Sequence, residues 1–194
     1  MKKLFDSLSE FSSLSEKTKK QYIELLELKE FKKKDKIADL GEVPTKFYIL
    51  TSGVVRSFVT DEKGKEFTRS IYIPMRAIGA FSALVEKKPN EIIYECLTDC
   101  KMYVGDFQKF KALTNRNMEM ATLYSSFLER IYMRMEKRVF ELSVLDAKQR
   151  YLKLKKHIPE IENLIPQYHI ASYLNITPVQ LSRIRKDLYK NKLT

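Results

Sequence analysis

Between Gln167 and Lys186 the chain gathers side chains that could read or grip a nucleic acid: Gln167, Tyr168, Thr177, Gln180, Ser182, Arg183 and Lys186, with Pro178 and Val179 among them. An arginine can hold guanine O6 and N7 through two parallel hydrogen bonds, a glutamine can pair with adenine, and a branched aliphatic can touch a thymine methyl. Arg183 is thus the leading candidate base reader, with Gln180, Ser182 and Val179 on the same helix, while Thr177, Tyr168, Gln167 and Lys186 suit phosphate oxygens. Catalytic chemistry is not expected. The two histidines, His157 and His169, both lie in or beside this tail, and the chain shows no nucleophile–base pattern, metal-ligand cluster or glycine-rich phosphate loop.

To present those groups, two short helices must meet at a steep angle. Ile170, Ala171 and Leu174 supply a first helix with a small residue at its contact face, and Asn175 tolerates the positive φ that a tight turn needs. Thr177 then reads as an N-cap and Pro178 as the first helical residue, where a missing N–H costs nothing. Leu181, Ile184 and Leu188 face inward, leaving Val179, Gln180, Ser182, Arg183 and Lys186 outward. This is a helix-turn-helix pattern. The charge agrees: residues 147–194 hold ten basic and three acidic side chains, +7 of the chain's net +11.

Upstream the texture changes. Residues 4–28 read as two short helices, and residues 29–36 as an extended lysine-rich rim. Residues 37–106 hold short β-branched and aromatic runs (47–50, 54–60, 67–73, 92–97 and 101–104) broken by turn residues, which predicts a β-sandwich or barrel. Cys96 and Cys100 are the only cysteines and read as reduced packing residues rather than redox or metal groups. From Met120 to Leu145 apolar residues recur every three or four positions, predicting one helix of roughly 30 residues whose stripe calls for a partner helix, with Leu123, Phe127, Ile131, Met135 and Leu142 at a dimer interface. The expected class is α+β, and no export or membrane segment is visible, so a cytoplasmic protein is expected.

Taken together, Gly41-Glu42, the run Phe47 to Gly53, the hairpin Asp61 to Glu66, Leu145-Asp146 and the helix-turn-helix resemble the Crp/Fnr superfamily of bacterial regulators over residues 41–188. The resemblance implies a cyclic-nucleotide-binding-like β-roll (a double-stranded β-helix) with flanking helices over 1–112, a long dimerisation helix over 113–146 and a DNA-binding domain over 147–194, Asp146 marking the hinge. It also implies base contacts at Pro178, Val179 and Arg183, and as partners a palindromic double-stranded DNA operator, a second copy of the chain and, as a candidate, RNA polymerase. Family members commonly end in a β-hairpin wing, which is expected here to be reduced or absent.

The effector region departs from the family. Where its cyclic-nucleotide binders carry a Gly-Glu pair for the ribose and an Arg-Ser pair for the phosphate, this chain has Gly79, Ala80, Phe81 and Ser82, then Glu91 and Ile92. Ala80 cannot bond a ribose hydroxyl and Glu91 would repel a phosphate. Met135 and Glu136 replace the polar residues that meet adenine, so cAMP is not expected to bind. A filled barrel and an unidentified small effector near Gly79–Ser82, Glu91, Ile92, Tyr94 and Met135 both remain open. The family's other inputs also lack their ligands, since there is no N-terminal cysteine cluster for an iron–sulfur centre and no sensor histidine for haem. A different class of function is a ligand-binding or protein-interaction module whose helical tail docks on a protein partner instead of DNA.

Overall fold

The computed structural model describes residues 2–8 and 13–190; a C-terminal wing, or its absence, lies outside the described residues. Two antiparallel four-stranded sheets face each other. One runs β1 (Leu26–Phe31), β8 (Cys100–Asp106), β3 (Lys46–Ser52), β6 (Ala77–Ile78); the other runs β2 (Lys36–Ala38), β7 (Ile93–Cys96), β4 (Val55–Thr60), β5 (Glu66–Tyr72). Alternation along the strands sends Leu50, Val55, Tyr94, Cys96 and Met102 into a shared core, with Tyr48, Tyr72 and Ile92 packed on it. The turn after β3 needs glycine. Gly53 has φ +92°, and a Cβ there would lie 2.4 Å from the Asp99 carbonyl.

The two N-terminal helices, α1 (Lys2–Leu8) and α2 (Glu16–Ile23), pack with α3 (Phe81–Glu86) and α4 (Phe107–Arg116) on one side of the barrel around Leu4, Tyr22, Leu84, Phe107 and Phe110. The single helix expected over residues 120–145 is present, and only its outer bound at 113 is corrected, because a break falls at Asn117. Asn117 adopts extended backbone, ends α4 and caps α5 (Met118–Val144) by accepting from Met120 N at 3.2 Å, a break signalled by neither proline nor glycine. The first turns of α5 therefore belong to the chain's own core: Met120 and Leu123 are buried among the phenylalanines. Leu123, expected at a dimer interface, is corrected on this ground, because helical spacing cannot distinguish an apolar face covered by its own chain from one awaiting a partner.

Four helices follow: α6 (Ala147–His157), α7 (Ile161–Leu164), α8 (Gln167–Tyr173) and α9 (Pro178–Lys190). Asp146 and Gln149 form a reciprocal capping box that starts α6 two residues after α5 ends. Tyr151, Leu154, Ile161, Ile170, Leu174 and Leu181 make a core that continues into Val54 and Leu97 of the barrel. The helical tail thus rests on the sheet of β5. Among the described residues no helix is long and apolar enough to cross a membrane.

Candidate nucleic-acid interface

The turn between α8 and α9 is held at both ends. Asn175 takes φ +54°, and Ile176 N donates to Ala171 O at 3.1 Å, closing α8 in a left-handed cap. Arg138 of α5 donates to Tyr173 O and stacks over the Tyr173 ring at 4.0 Å, while Arg150 of α6 donates from Nε to Leu174 O at 3.2 Å. Two guanidinium groups on the last carbonyls of α8 complement its negative end and fix the helix against α5 and α6. Thr177 and Gln180 then start α9 reciprocally: Gln180 N donates to Thr177 Oγ1 at 3.2 Å, and Thr177 N donates to Gln180 Oε1 at 2.9 Å.

Built this way, α9 buries Leu181, half-buries Ile184 and Leu188, and exposes Thr177, Pro178, Val179, Gln180, Ser182, Arg183 and Lys186. Tyr168 is exposed at the start of α8 and Gln167 is half-buried. The side chains read from sequence as base or phosphate contacts therefore share the outer surface of one motif. Gln180 is the exception in role. Its carboxamide oxygen is committed to the cap, so the two-bond reading of adenine expected of it is open only if the capping box breaks.

The effector set is brought together only in part. Ala80 and Tyr94 are buried in the barrel core with Ile92 packed on it, whereas Glu91 is exposed, Phe81 turns its ring edge-on to Phe107 at 6.4 Å, and Met135 is 57% exposed on the outer face of α5. Asn90 is buried and ties Asp39 O to both backbone groups of Ile92. Arg56 is the one buried lysine or arginine among the described residues, on the opposite face of β4 from Val55, while the exposed Arg69 acts by its charge on Tyr94. A groove of about 700 Å³ that the sequence did not signal lies elsewhere, between α2, α4 and the start of α5, beside Lys17, Lys109, Arg116 and Glu119.

Arg56 joins barrel to tail. It donates from Nε to Glu95 Oε2 at 2.7 Å, reaches Glu66 Oε2 and His169 Nδ1 at 2.5 and 3.0 Å, and stacks over Phe58 at 3.8 Å. One turn along α8, Ser172 Oγ accepts from Thr68 N at 2.9 Å and donates to Glu66 O at 3.1 Å. β5 is an edge strand, so this hydroxyl satisfies backbone groups that would otherwise lack a strand partner. Burial, then the charge of Arg56, hold His169 down to about 4, which keeps its Nδ1 free to accept; Glu66 pulls the other way and Lys33 adds to Arg56. An unfolded histidine titrates near ~6.5. Between those values the unfolded chain binds a proton that the native chain refuses, so stability falls as pH drops from 6.5 towards 4, by about 3 kcal/mol. Urea midpoints measured from pH 7 to pH 4.5 should show this slope, and His169→Gln, which keeps an acceptor but cannot titrate, should flatten it.

Residues 28–117 match the family model of the cyclic nucleotide-binding domain. In overall structure the chain is similar to FixK2 from Bradyrhizobium japonicum, with TM-score 0.72, 16% identity and 86% of each chain covered. It is similar also to the c-di-GMP-responsive global regulator CLP of Xanthomonas campestris, with TM-score 0.70, 13% identity and coverage of 92% of this chain and 94% of that one. A third similar structure, from Eubacterium rectale, is assigned to the Crp/Fnr family of transcriptional regulators, with TM-score 0.69, 14% identity and coverage of 92% and 85%. No curated protein sequence matches the chain.

Proposed function

We propose that this chain, which has the fold of the Crp/Fnr transcription regulators and carries a cyclic nucleotide-binding domain over residues 28–117, is a sequence-specific DNA-binding regulator that acts as a dimer through α5 and does not respond to cAMP. The observation that carries the reading is the outward face of α9, where Val179, Ser182, Arg183 and Lys186 stand exposed on a helix capped at its start. A helix so presented enters the major groove with its N-terminal half, and two of them on a two-fold dimer read a palindrome. Arg183 reads a base; Lys186, Thr177 and Tyr168 hold phosphates.

The lining of the barrel supports the reading that cAMP does not bind. Its interior is filled by tyrosines and aliphatics, Ala80 is packed in that core, and the buried guanidinium of β4 is spent on Glu66 and Glu95 on the outer face. A cyclic phosphate entering there would lose its water among tyrosines and aliphatics, with Arg69, whose charge acts on Tyr94, exposed at the surface.

The test is selection of bound sites from randomised duplex DNA, followed by affinity measurements on the enriched site. A palindrome should emerge, unchanged by cAMP. Arg183→Ala should weaken binding by about 1–3 kcal/mol per half-site and relax one base position. Lys186→Ala should lower affinity for all sequences and reduce the salt dependence. No enriched palindrome, with binding indifferent to Arg183 and to salt, would favour a tail that docks on a protein. Enrichment only with cAMP would overturn the reading of Ala80 and Glu91.

A further inference from the structure

Given a tail that binds DNA as proposed above, we infer that Glu162 sets its selectivity: this carboxylate withholds Arg185 of α9, together with Lys155 of α6, from the phosphate backbone and so keeps sequence-independent binding low.

Glu162 stands in α7, the single turn of helix between α6 and α8, with its side chain only 10% exposed. Three groups converge on it from two other helices. Tyr151 of α6 donates its hydroxyl to Oε1 at 2.6 Å, Lys155 one turn later donates to Oε2 at 2.8 Å, and the Arg185 guanidinium of α9 forms an ion pair with Oε1 at 2.5 Å. A carboxylate with so little water stays ionised only with such partners, and here they tie α6 and α9 to the same short helix. Tyr151 and Ile161 lie in the core that also holds Leu181, so the cluster sits on packed ground.

Released from Glu162, Arg185 would face DNA. On α9 it follows Ser182 by three residues and Pro178 by seven, so it belongs to the row of the helix that carries two exposed positions of the outward face. Its side chain is nonetheless 27% exposed and turned back to α7, while Arg183 and Lys186 stand open to solvent. The same ion pair fixes the rotation of α9 about its axis, on which the aim of Arg183 depends.

Towards a polyanion the tail is therefore less basic than its composition. Of the ten basic residues in 147–194, Lys155 and Arg185 face Glu162, Lys153 faces Glu141 at 3.4 Å, and the Arg150 guanidinium is engaged by Leu145 O and Leu174 O. Each phosphate that a protein neutralises steepens the fall of log K with log salt by ~0.9, on any duplex. A cation that grips phosphates strengthens binding to every sequence alike. Holding Arg185 back thus widens the ratio between the palindrome and all other sites.

The test is the salt dependence of affinity for two duplexes, the selected palindrome and a scrambled one of the same length. Glu162→Gln keeps the shape of the side chain and an acceptor for Tyr151 while releasing Arg185 and Lys155, both part-exposed, to solvent. On scrambled DNA it should steepen the slope by about 2 for a dimer, ~0.9 for each Arg185 that reaches a phosphate, and raise affinity severalfold at low salt, with a smaller gain on the palindrome. Glu160→Gln makes the same change in net charge two residues away, where the partner is the Asn163 amide, and should leave the slope at the parent value. Arg185→Met alone should also leave it there, although it removes a cation from α9, and added to Glu162→Gln it should reverse most of the gain.

Phenylglyoxal reads the clamp without DNA. In the parent it should modify Arg185 severalfold more slowly than Arg183, and in Glu162→Gln at a similar rate, as mapped by mass spectrometry. Thermal unfolding checks that Glu162→Gln folds, and the measurements on the parent and on Arg185→Met do not depend on it. A Glu162→Gln slope equal to the parent's, a Glu160→Gln slope as steep as that of Glu162→Gln, or a parent slope flattened by Arg185→Met would overturn the inference, as would equal phenylglyoxal rates in the parent. A slow Arg185 in a parent whose affinity for both duplexes ignores salt would instead overturn the DNA-binding reading, and with it the selectivity assigned to Glu162, with the clamp intact.

Discussion

Arg56→Ala is expected to destabilise the chain by about 3 kcal/mol, read as a fall in the urea unfolding midpoint. The guanidinium is nearly inaccessible and serves two carboxylates, a histidine nitrogen and an aromatic face at once. Removing it leaves Glu95, 18% exposed, without its ion-pair partner and with little water. Lys36, opposite on β2 but paired with Asp39, screens it in part, and Glu66, at 42%, recovers some hydration, which keeps the loss at the lower end of the range for a broken buried pair. Arg56→Lys should recover little, because a point charge cannot serve Glu95, Glu66 and His169 from three directions. The discriminating variant is Arg56→Met with Glu95→Gln. Replacing both partners by neutral groups of similar size removes the stranded charge, so the double variant should lie well above Arg56→Ala. A single-variant loss below ~1 kcal/mol would mean that the cluster is solvated in solution and does not clasp barrel to tail.

That clasp was not legible in the sequence, and the reason is physical. His169 and Arg56 are 113 residues apart, and nothing local marks β4 as the strand on which α8 will rest. The helix-turn-helix was legible because its signals are local: the positive φ of Asn175, the Thr177 cap, and the inward Leu181 each follow from a few neighbouring residues. Five of the six longer strands were readable for the same reason. β1 was not, because Leu26–Phe31 lies mostly exposed, carries Glu27, Lys29 and Glu30, and straddles the bounds read as a helix end and a lysine rim. β2 and β6, with three and two residues, are too short to show a period. Leu123 was misplaced because periodicity reports that a face is covered and is silent on what covers it. The effector residues were carried across from a family pattern; the core gathers Ala80, Tyr94 and Ile92, while Glu91, Phe81 and Met135 stay exposed.

Past Ile131 the same helix changes character, and there a second copy of the chain is expected. Tyr132, Met135, Val139 and Leu142 stand exposed at coiled-coil spacing, flanked by Met133, Phe140 and Val144, while Arg138 and Glu141 turn back towards the tail. Phe127 and Ile131, also expected at the interface, are half-buried where the stripe emerges. Covering a fully exposed side chain of this kind gains on the order of 1.5–3 kcal/mol, and since these four are 41–63% exposed, about half of that from each of the eight in a pair is ~6–12 kcal/mol, an upper bound of the same order as an association cost of about 4–15 kcal/mol. Val139, 63% exposed and central in the stripe, is the position to test. In a two-fold pair Val139→Glu faces its own copy, so a desolvated carboxylate meets a like charge and the dimer should weaken by more than about 100-fold. Sedimentation equilibrium should then give the 22.9 kDa monomer at concentrations where the parent chain has twice that mass. Val85→Glu, equally apolar and 51% exposed but on α3, should leave the mass unchanged. The monomeric variant should keep its thermal midpoint and its weak half-site affinity while losing tight binding to the palindrome, because the spacing of two α9 helices is set by the α5 pair and not by either helix-turn-helix alone. A Val139→Glu chain that stays dimeric would move the interface off this stripe and leave seven exposed apolar side chains needing another partner.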